Sequence, residues 1–240
     1  MTFQVREHTA ANADALAQSL AADIAQRLLL TLRRQTTATL FVSGGKSPIA
    51  LFKALASRAL PWHAITVCLA DERCVHNTDE ASNALLVRTH LLQGYAAAAP
   101  FVPLVDVPPN VAMPAPQALA DAATNAVGAL GGIDVLVLGM GADGHTASLF
   151  PQAPQLQQGL DLNAPAGCIA TSPHTAPHER VSLNLSAILS ASHIAVAVGG
   201  GADKLAVYSQ VKAAQSDALP LSHVLHRSGA KPSIDVWLHG

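Results

Sequence analysis

The sequence is poor in charged and aromatic residues, which make up 12% and 4% of its 240 residues, whereas 50% are hydrophobic. A chain of this composition can bury a large core, which excludes intrinsic disorder. The formal net charge of −2 gives no reason to expect a nucleic acid or an anionic membrane as a partner. Any anionic ligand must therefore be held by local cations.

Long apolar runs and targeting signals are also missing. No run approaches the roughly 18 residues that a membrane span needs, and the start, MTFQVREH, lacks the basic and then apolar regions of a secretory signal. These features predict a cytoplasmic protein that does not bind membranes.

Cysteine is scarce, and the spacing of the histidines is unsuited to metal binding. The three cysteines are odd in number and lack CxxC spacing, which argues against disulfides and thiolate zinc sites. Pro177 interrupts the helical spacing of His174 and His178, whereas His223 and His226 could share a helical face. We therefore expect no metal, and partly solvated histidines are the simpler interpretation.

Helical and strand patterns alternate along the chain. Apolar residues recur every three or four positions from Asn12 to about Gln35, with Asn12 as the helix cap. Other helices are predicted at 118–130, 202–211 and 221–227 and after a cap at Ser82 or Asn83; strands are predicted at 37–42, 65–70, 101–105, 168–171, 193–198 and 233–238 and from Ile133.

This alternation predicts an α/β fold, because parallel strands need crossover connections that are usually helical. We expect a three-layer α/β/α arrangement around a mainly parallel sheet, similar to a modified Rossmann fold. The proline-rich segment 94–116 is expected to be an irregular connection. Since no long break in composition or internal repeat occurs, residues 1–240 are expected to form a single domain.

The stretch Ile133–Pro151, IDVLVLGMGADGHTASLFP, has the strongest functional pattern. Its apolar run is typical of a strand buried on both faces, and ligands in α/β sheets bind at the carboxyl ends of such strands. Asp143 and His145 lie at that end, among small and polar residues. The alternative is a tight glycine turn in which His145 is only a polar loop residue.

A second pattern predicts an anion site. Ser43, Gly44 and Gly45 follow a predicted strand and precede a helix that we expect to start with Ser47 as N-cap and Pro48 in the first turn. Helix starts favour phosphate. The spacing differs from the GxxxxGK[ST] nucleotide loop. A turn that binds no ligand is the alternative.

Charged residues lie near the ends of three more strands. Asp71-Glu72-Arg73 follows the strand at 65–70, and buried charges are costly unless they are paired or bind a ligand. Arg180 directly precedes a short alternating stretch, VSLNL, and Lys204 lies in the first turn of a helix, where an anion would compensate for its charge. Parallel strands would gather these residues at one edge of the sheet. The alternatives are that Asp71-Glu72-Arg73 is an ordinary charged loop and that Arg180 is an ordinary surface cation.

The motif GMGADGHTASLFP resembles the signature of the 6-phosphogluconolactonases, whose superfamily also contains glucosamine-6-phosphate deaminases. The resemblance extends over about residues 37–210. It includes an acid-Glu-Arg triplet and a Ser-Asn pair, although His76 stands where the family usually has proline. The resemblance implies hydrolysis of 6-phospho-D-glucono-1,5-lactone in the oxidative pentose phosphate pathway without a cofactor.

The resemblance also implies roles for individual residues. His145 would be the general base. From the chemistry of lactone hydrolysis, we expect Asp143 or a backbone carbonyl to orient His145 and backbone N–H groups in the glycine turns to stabilise the oxyanion. Residues expected to hold the phosphorylated sugar are Ser43, Gly44, Gly45, Asp71, Arg73, Arg180 and Lys204. The expected partner is this small molecule alone, bound by a monomer or a weak homo-oligomer.

Two alternative functions are less favoured. Isomerases and deaminases of the superfamily typically continue the DGH turn with Phe-Asn-Glu, but Ser148, Leu149 and Phe150 occupy those positions here. The missing glutamate is an acid/base group that ring opening would use. A non-catalytic sugar-phosphate sensor would be expected to carry a DNA-binding segment, and no basic recognition helix is evident.

Overall fold

The computed structural model describes residues 5–227 and 232–239. Residues 1–4, which form half of the segment used above against a secretory signal, lie outside this range. The strands are β1 (Arg6–Ala10), β2 (Ala38–Val42), β3 (Ile65–Leu69), β4 (Asp71–Arg73), β5 (Phe101–Val102), β6 (Val135–Gly139), β7 (Cys168–Thr171), β8 (Arg180–Leu183), β9 (His193–Gly199) and β10 (Ser233–His239).

Helices connect most of these strands. They are α1 (Ala13–Leu32), α2 (Ile49–Ala56), α3 (Asn83–His90), α4 (Pro116–Gly128), α5 (Leu156–Leu160), α6 (Leu185–Ser190), α7 (Gly201–Ala213) and α8 (Leu221–Leu225). Within the described residues, no helix is long and apolar enough to cross a membrane.

Seven strands form a parallel sheet in the order β1-β10-β9-β6-β2-β3-β5. The central strands are almost wholly buried, as expected of strands that are covered on both faces. Helices flank this sheet, so the predicted mainly parallel α/β fold is confirmed. Because β2, β6 and β9 are neighbours, the loops that follow them meet at one edge of the sheet.

The second sheet is small and antiparallel, and its strand order is β4-β8-β7. The sequence pattern did not reveal this sheet. Asp71–Arg73, predicted as a charged cluster at the end of a strand, is itself strand β4. In β4 and β8, Arg73 pairs with Arg180 and Asp71 pairs with Ser182. This pairing brings together two charged residues predicted for the site, Arg73 and Arg180, from distant parts of the chain.

Several predicted element boundaries are shifted by a few residues, and two of these shifts have a clear physical description. Helix α2 begins at Ile49 with Pro48 in the N-cap position, one residue later than the predicted cap at Ser47. The strand predicted at 101–105 ends at Val102, because Pro103 has no N–H group with which to continue the ladder. The capping prediction for α3 is resolved in favour of Ser82, whose side chain accepts from Leu85 N.

Helix α1 is stabilised by an N-cap and is joined to the sheet by ion pairs. Asn12 caps it by accepting from Ala15 N at 2.9 Å, as predicted. Arg27 donates to Asp23 and to Asp235 of β10, both at 2.6 Å, and Arg6 donates to both oxygens of Asp235. Asp23, His193 and Asp235 lie close enough to hold a metal ion. Because two guanidinium groups already neutralise the carboxylates, we interpret this cluster as an ion-pair network.

His193 makes the stability of this network dependent on pH. Its ring is 3% exposed, and Nδ1 lies 2.8 Å from Ser233 Oγ. Burial, aided by the charge of Arg27, lowers the pKa of His193 to about 4. Since an unfolded histidine titrates near 6.5, the unfolded chain binds more protons between pH 6.5 and 4, and stability is lost as the pH falls through this window.

We expect His193 to contribute on the order of 3 kcal/mol to this loss of stability. Urea unfolding of the wild-type protein and of His193→Asn at pH 7, 6, 5 and 4 measures the contribution. The free energy of unfolding should fall less steeply with decreasing pH in the variant. Parallel curves for the two proteins would contradict a neutral, buried His193.

Candidate active site

A cavity of about 270 Å³ lies at the edge of the sheet where β2, β6 and β9 end. It is also lined by residues of β4, β8 and α7, so that segments distant in sequence converge on it. Eight of the nine residues predicted to form the site line this cavity: Ser43, Gly44, Gly45, Asp71, Arg73, His145, Arg180 and Lys204. The ninth, Asp143, contacts His145 from behind.

Asp143 and His145 form a hydrogen-bonded pair in which Nδ1 of the imidazole lies 2.5 Å from Oδ1 of the carboxylate. Burial raises the pKa of Asp143, but the hydrogen bond from His145, the charge of the same imidazole and backbone hydrogen bonds together outweigh burial and hold this pKa below its usual value. An ionised carboxylate only accepts hydrogen bonds, so Nδ1 carries the proton. The lone pair of a neutral His145 is therefore on Nε2, as a general base requires.

The turn that carries this pair is held by its own backbone. Gly141 N donates to His145 O at 2.9 Å, and Gly144 N donates to Gly141 O at 3.1 Å. The His145 ring and the Asp143 carboxylate lie directly against Gly141, where a Cβ atom would overlap both side chains. A glycine is therefore required at position 141 for close approach, since its φ lies outside the left-handed region.

We expect Gly141→Ala to reduce kcat by about 10²-fold, because the new methyl group displaces the imidazole and a misplacement of about 1 Å has an effect of this size. The measurement is steady-state hydrolysis of a phosphorylated sugar lactone, with circular dichroism to verify folding. Gly128→Ala is the matched control, since a Cβ atom at that helical position meets nothing within 4 Å. Unchanged activity in Gly141→Ala would contradict the importance of the position of the ring.

Phe150 links the base to a cation of the site. The His145 ring stacks on the Phe150 ring with centroids 4.0 Å apart and an interplanar angle of 25°. The Arg180 guanidinium carbon lies 5.6 Å from the centroid of the same phenyl ring. Arg180 is therefore held near His145, at the end of the cavity where the base lies.

The two arginines of the small sheet are cross-strand partners. Arg73 and Arg180 are in register, and like charges in this position repel each other. Burial, and then the charge of Arg73, lowers the pKa of Arg180. In the described part of the chain, the Nε atoms of both arginines are buried without a hydrogen-bond partner. Two neighbouring cations, each with a buried and unused Nε donor, indicate a site for an anionic ligand.

The acidic residues of β4 hold neighbouring segments of the site in place by hydrogen bonds. Asp71 Oδ2 accepts from Ser148 Oγ at 2.6 Å, which ties β4 to the turn that bears His145. Glu72 is 1% exposed and accepts from the backbone N–H groups of Arg73, Asn83 and Ala84 at 2.6–2.8 Å. Burial raises the pKa of Glu72 despite these bonds. Glu72 thus fixes the start of α3 against the cavity.

Another part of the cavity lining is formed by the turn between β2 and α2 and by the start of α7. Ile49 N donates to Lys46 O, and among the described residues no side chain caps α2, so the N–H groups that remain in its first turn can bind water or an anion. Lys204, in the first turn of α7, lines the same cavity. The predicted anion site and the predicted lysine therefore lie together.

Three residues of the cavity were missed by the sequence interpretation of the site. His239 ends strand β10 outside any polar cluster, and Met140 lies within the motif GMGADGHTASLFP but was assigned no role there. Asn83 was noted only as a possible helix cap and in a Ser-Asn pair. Nothing in the sequence around Asn83 indicated that its side chain lines a ligand cavity.

Comparison with known proteins identifies relatives over almost the whole chain. The family model described as glucosamine-6-phosphate isomerases/6-phosphogluconolactonase matches residues 11–232. A 6-phosphogluconolactonase of Neisseria meningitidis is 42% identical over 92% of this chain and 94% of its own length, and one of Pseudomonas putida is 40% identical over 92% and 90%. The crystal structure of a 6-phosphogluconolactonase from Shewanella baltica matches with a TM-score of 0.88 and 37% identity, covering 99% and 98% of the chains.

Proposed function

The chain belongs to the glucosamine-6-phosphate isomerase/6-phosphogluconolactonase family, and we propose that it hydrolyses 6-phospho-D-glucono-1,5-lactone to 6-phospho-D-gluconate in the oxidative pentose phosphate pathway. The observation that carries this proposal is the shared cavity. It brings together an Asp-oriented imidazole, paired arginines and a helix start suited to phosphate. The isomerase or deaminase alternative is not favoured, because Phe150 occupies the position at which those enzymes would supply an acid.

His145 is the general base in this proposal. Its neutral imidazole takes a proton through Nε2 from a water molecule, which attacks C1 of the lactone. The bond between C1 and the ring oxygen then breaks, and the ring oxygen leaves with the proton that the His145 imidazolium holds. Asp143 keeps Nδ1 protonated and stabilises the imidazolium formed during attack. A lactone is reactive enough that no covalent nucleophile or cofactor is needed.

Arg180 stabilises the oxyanion that develops on the carbonyl oxygen. Gly141 and Gly144 in the turn that bears His145 donate to backbone carbonyls, so these two N–H groups are already used. The guanidinium of Arg180 lies against the same phenyl ring as His145 and has an unused buried Nε–H group. A fixed cation at this place stabilises charge without further reorganisation. Arg73, the cross-strand neighbour of Arg180, binds hydroxyl groups of the sugar.

The phosphate binds at the other end of the cavity. Ser43, Gly44, Gly45 and Lys204 surround this end, beside the start of α2. Backbone N–H groups, the helix dipole and an ammonium group together favour a dianion. Asp71 carries a negative charge and would repel phosphate, so we assign it to the sugar hydroxyls and to support of the arginines.

We also propose that residues 1–240 form a single domain, which acts as a monomer or weak homo-oligomer. Its partner is a small phosphorylated sugar lactone, and it has no nucleic acid or membrane partner. The free thiols of Cys68, Cys74 and Cys168 suit the reducing cytoplasm. Burial raises the pKa of Cys68 and Cys168 to about 12, which keeps these thiols protonated and unreactive.

The proposal is tested by acid release in a pH-stat from freshly prepared 6-phospho-D-glucono-1,5-lactone. Unphosphorylated D-glucono-1,5-lactone is the control substrate, since it has the same ring but no dianion. We expect rapid hydrolysis of the phosphorylated lactone and a much smaller kcat/KM for the control. Equal rates with the two lactones, or no enzymatic rate above the spontaneous one, would contradict the proposed function.

A further inference from the structure

Buried polar groups that lack hydrogen-bond partners are concentrated at the cavity. In residues 5–227 and 232–239, four such side chains line it: Ser43, Arg73, Asn83 and Arg180. The two arginines offer only donors, and the serine hydroxyl can donate or accept. Asn83 Oδ1 differs from the others, because a carboxamide oxygen only accepts hydrogen bonds. Native proteins rarely bury such atoms unpaired, so each needs an explanation.

The orientation of the Asn83 carboxamide is fixed by its other hydrogen bond. Asn83 Nδ2 donates to the backbone oxygen of Asp71 at 2.9 Å. A carbonyl oxygen cannot donate, so this side of the carboxamide must be the NH₂ group, and Oδ1 must be on the other side. The orphan acceptor is thus a consequence of the structure around it.

Asn83 is also rigidly held. It is 1% exposed, and its backbone N–H donates to the buried Glu72 carboxylate at 2.8 Å. The carboxamide packs against Gly44, where a Cβ atom would overlap it. The glycine of the anion-binding turn therefore makes room for the Asn83 carboxamide within the cavity. Few rotamers remain to be lost when a ligand binds, which favours selective recognition.

We propose that Asn83 Oδ1 accepts a hydrogen bond from a ring hydroxyl of the bound sugar phosphate and so acts as a specificity-determining residue. This inference rests on the proposed function. A phosphate dianion and a lactone carbonyl have no hydrogen to donate, so an acceptor can bind only the hydroxyl groups of this substrate. Loss of that hydroxyl would leave Oδ1 unpaired, and sites of this kind discriminate strongly against analogues that lack the group.

The test is a cycle that combines protein variants with substrate analogues. The probes are 1,5-anhydro-D-glucitol 6-phosphate, a stable ring that cannot be hydrolysed, and its 2-deoxy, 3-deoxy and 4-deoxy forms. Calorimetry gives Kd for the wild-type protein, for Asn83→Ala and for the near-isosteric Asn83→Leu. We expect one deoxy probe to bind the wild type about five- to tenfold more weakly than the parent, and this preference to vanish in both variants.

Asn184→Ala is the matched control. Asn184 is also a buried asparagine next to the start of a helix, with Nδ2 donating to Pro165 O and Oδ1 accepting from Ala187 N, but it is not part of the cavity lining. We expect this variant to be less stable than the wild type and to keep the full preference among the four probes. Loss of preference would then follow removal of the acceptor and not a general loss of stability.

The outcomes separate this inference from the proposed function. If the parent probe does not bind the wild-type protein, the proposed function fails and Asn83 has no such role. If it binds but Asn83→Ala and Asn83→Leu keep the wild-type preference, the role of Asn83 alone is overturned. If neither variant folds, the wild-type panel decides, and three deoxy probes that bind as tightly as the parent overturn the inference.

Discussion

His145→Asn should reduce kcat for the phosphorylated lactone by at least about tenfold, and by as much as 10²- to 10⁴-fold if proton transfer limits the wild-type rate. Asparagine can still hydrogen-bond to Asp143, but it has no basic nitrogen to accept a proton from water. Because the His145 ring is partly exposed and its loop is held by backbone hydrogen bonds, the fold should change little. Steady-state kinetics and circular dichroism on the same preparation measure both effects.

The chain offers a matched control for this variant. His223 and Asp217 form another histidine–aspartate pair, with His223 Nε2 2.8 Å from Asp217 Oδ1, but neither residue lines the cavity. His223→Asn should leave kcat unchanged. If purified His145→Asn hydrolysed the lactone at the wild-type rate, the assignment of His145 as the base would be wrong.

Arg180→Met should reduce kcat/KM by about 10²- to 10³-fold, the range observed when a donor to an oxyanion is removed. The same change should leave the melting temperature unchanged or higher. Methionine fills a similar volume and removes one of two guanidinium groups that face each other across the strands, so the repulsion between Arg73 and Arg180 is relieved. Activity would thus be lost without loss of stability, which is typical of a residue retained for function.

Arg88→Met is the control for this second variant. Arg88 also lies over a phenyl ring, 5.1 Å from the centroid of Phe101, and it is not part of the cavity lining. Its replacement should leave kcat/KM unchanged. A wild-type kcat/KM in Arg180→Met, measured by the pH-stat assay, would exclude a role for Arg180 in stabilising the transition state.

The sequence predicted the central sheet because its strands carry a strong local signal. The strands ending near Val42, Gly139 and Gly199 are continuous apolar runs, and each has a glycine at its last residue or within two residues after it. Strands with such runs are buried on both faces in the folded protein, so the apolar pattern of the sequence agrees with the buried position of the strand in the sheet. The convergence of their loops at one edge then follows from parallel pairing alone, which is why most of the candidate site could be predicted.

The elements that were missed depend on distant partners. Strand β1 (Arg6–Ala10) is a largely exposed edge strand of sequence REHTA, and its pairing with β10 joins residues more than 200 positions apart. Strand β4 contains only Asp71–Arg73, a charged triplet with no strand propensity. Its conformation is imposed by antiparallel pairing with β8, so tertiary context overrides local preference. Asn83 was missed for the same reason, since its role depends on Gly44 and the backbone of Asp71.

The direction in which the substrate lies across the cavity is the central claim, and a crystal structure with 6-phospho-D-gluconate bound tests it most directly. We expect the C1 carboxylate within about 3.5 Å of His145 Nε2, or bridged to it by one water. The phosphate should lie on the turn formed by Ser43, Gly44 and Gly45, near Lys204. A phosphate beside His145 with C1 at the opposite end, or a ligand bound outside the cavity, would contradict the assignment of the base and of the phosphate site together.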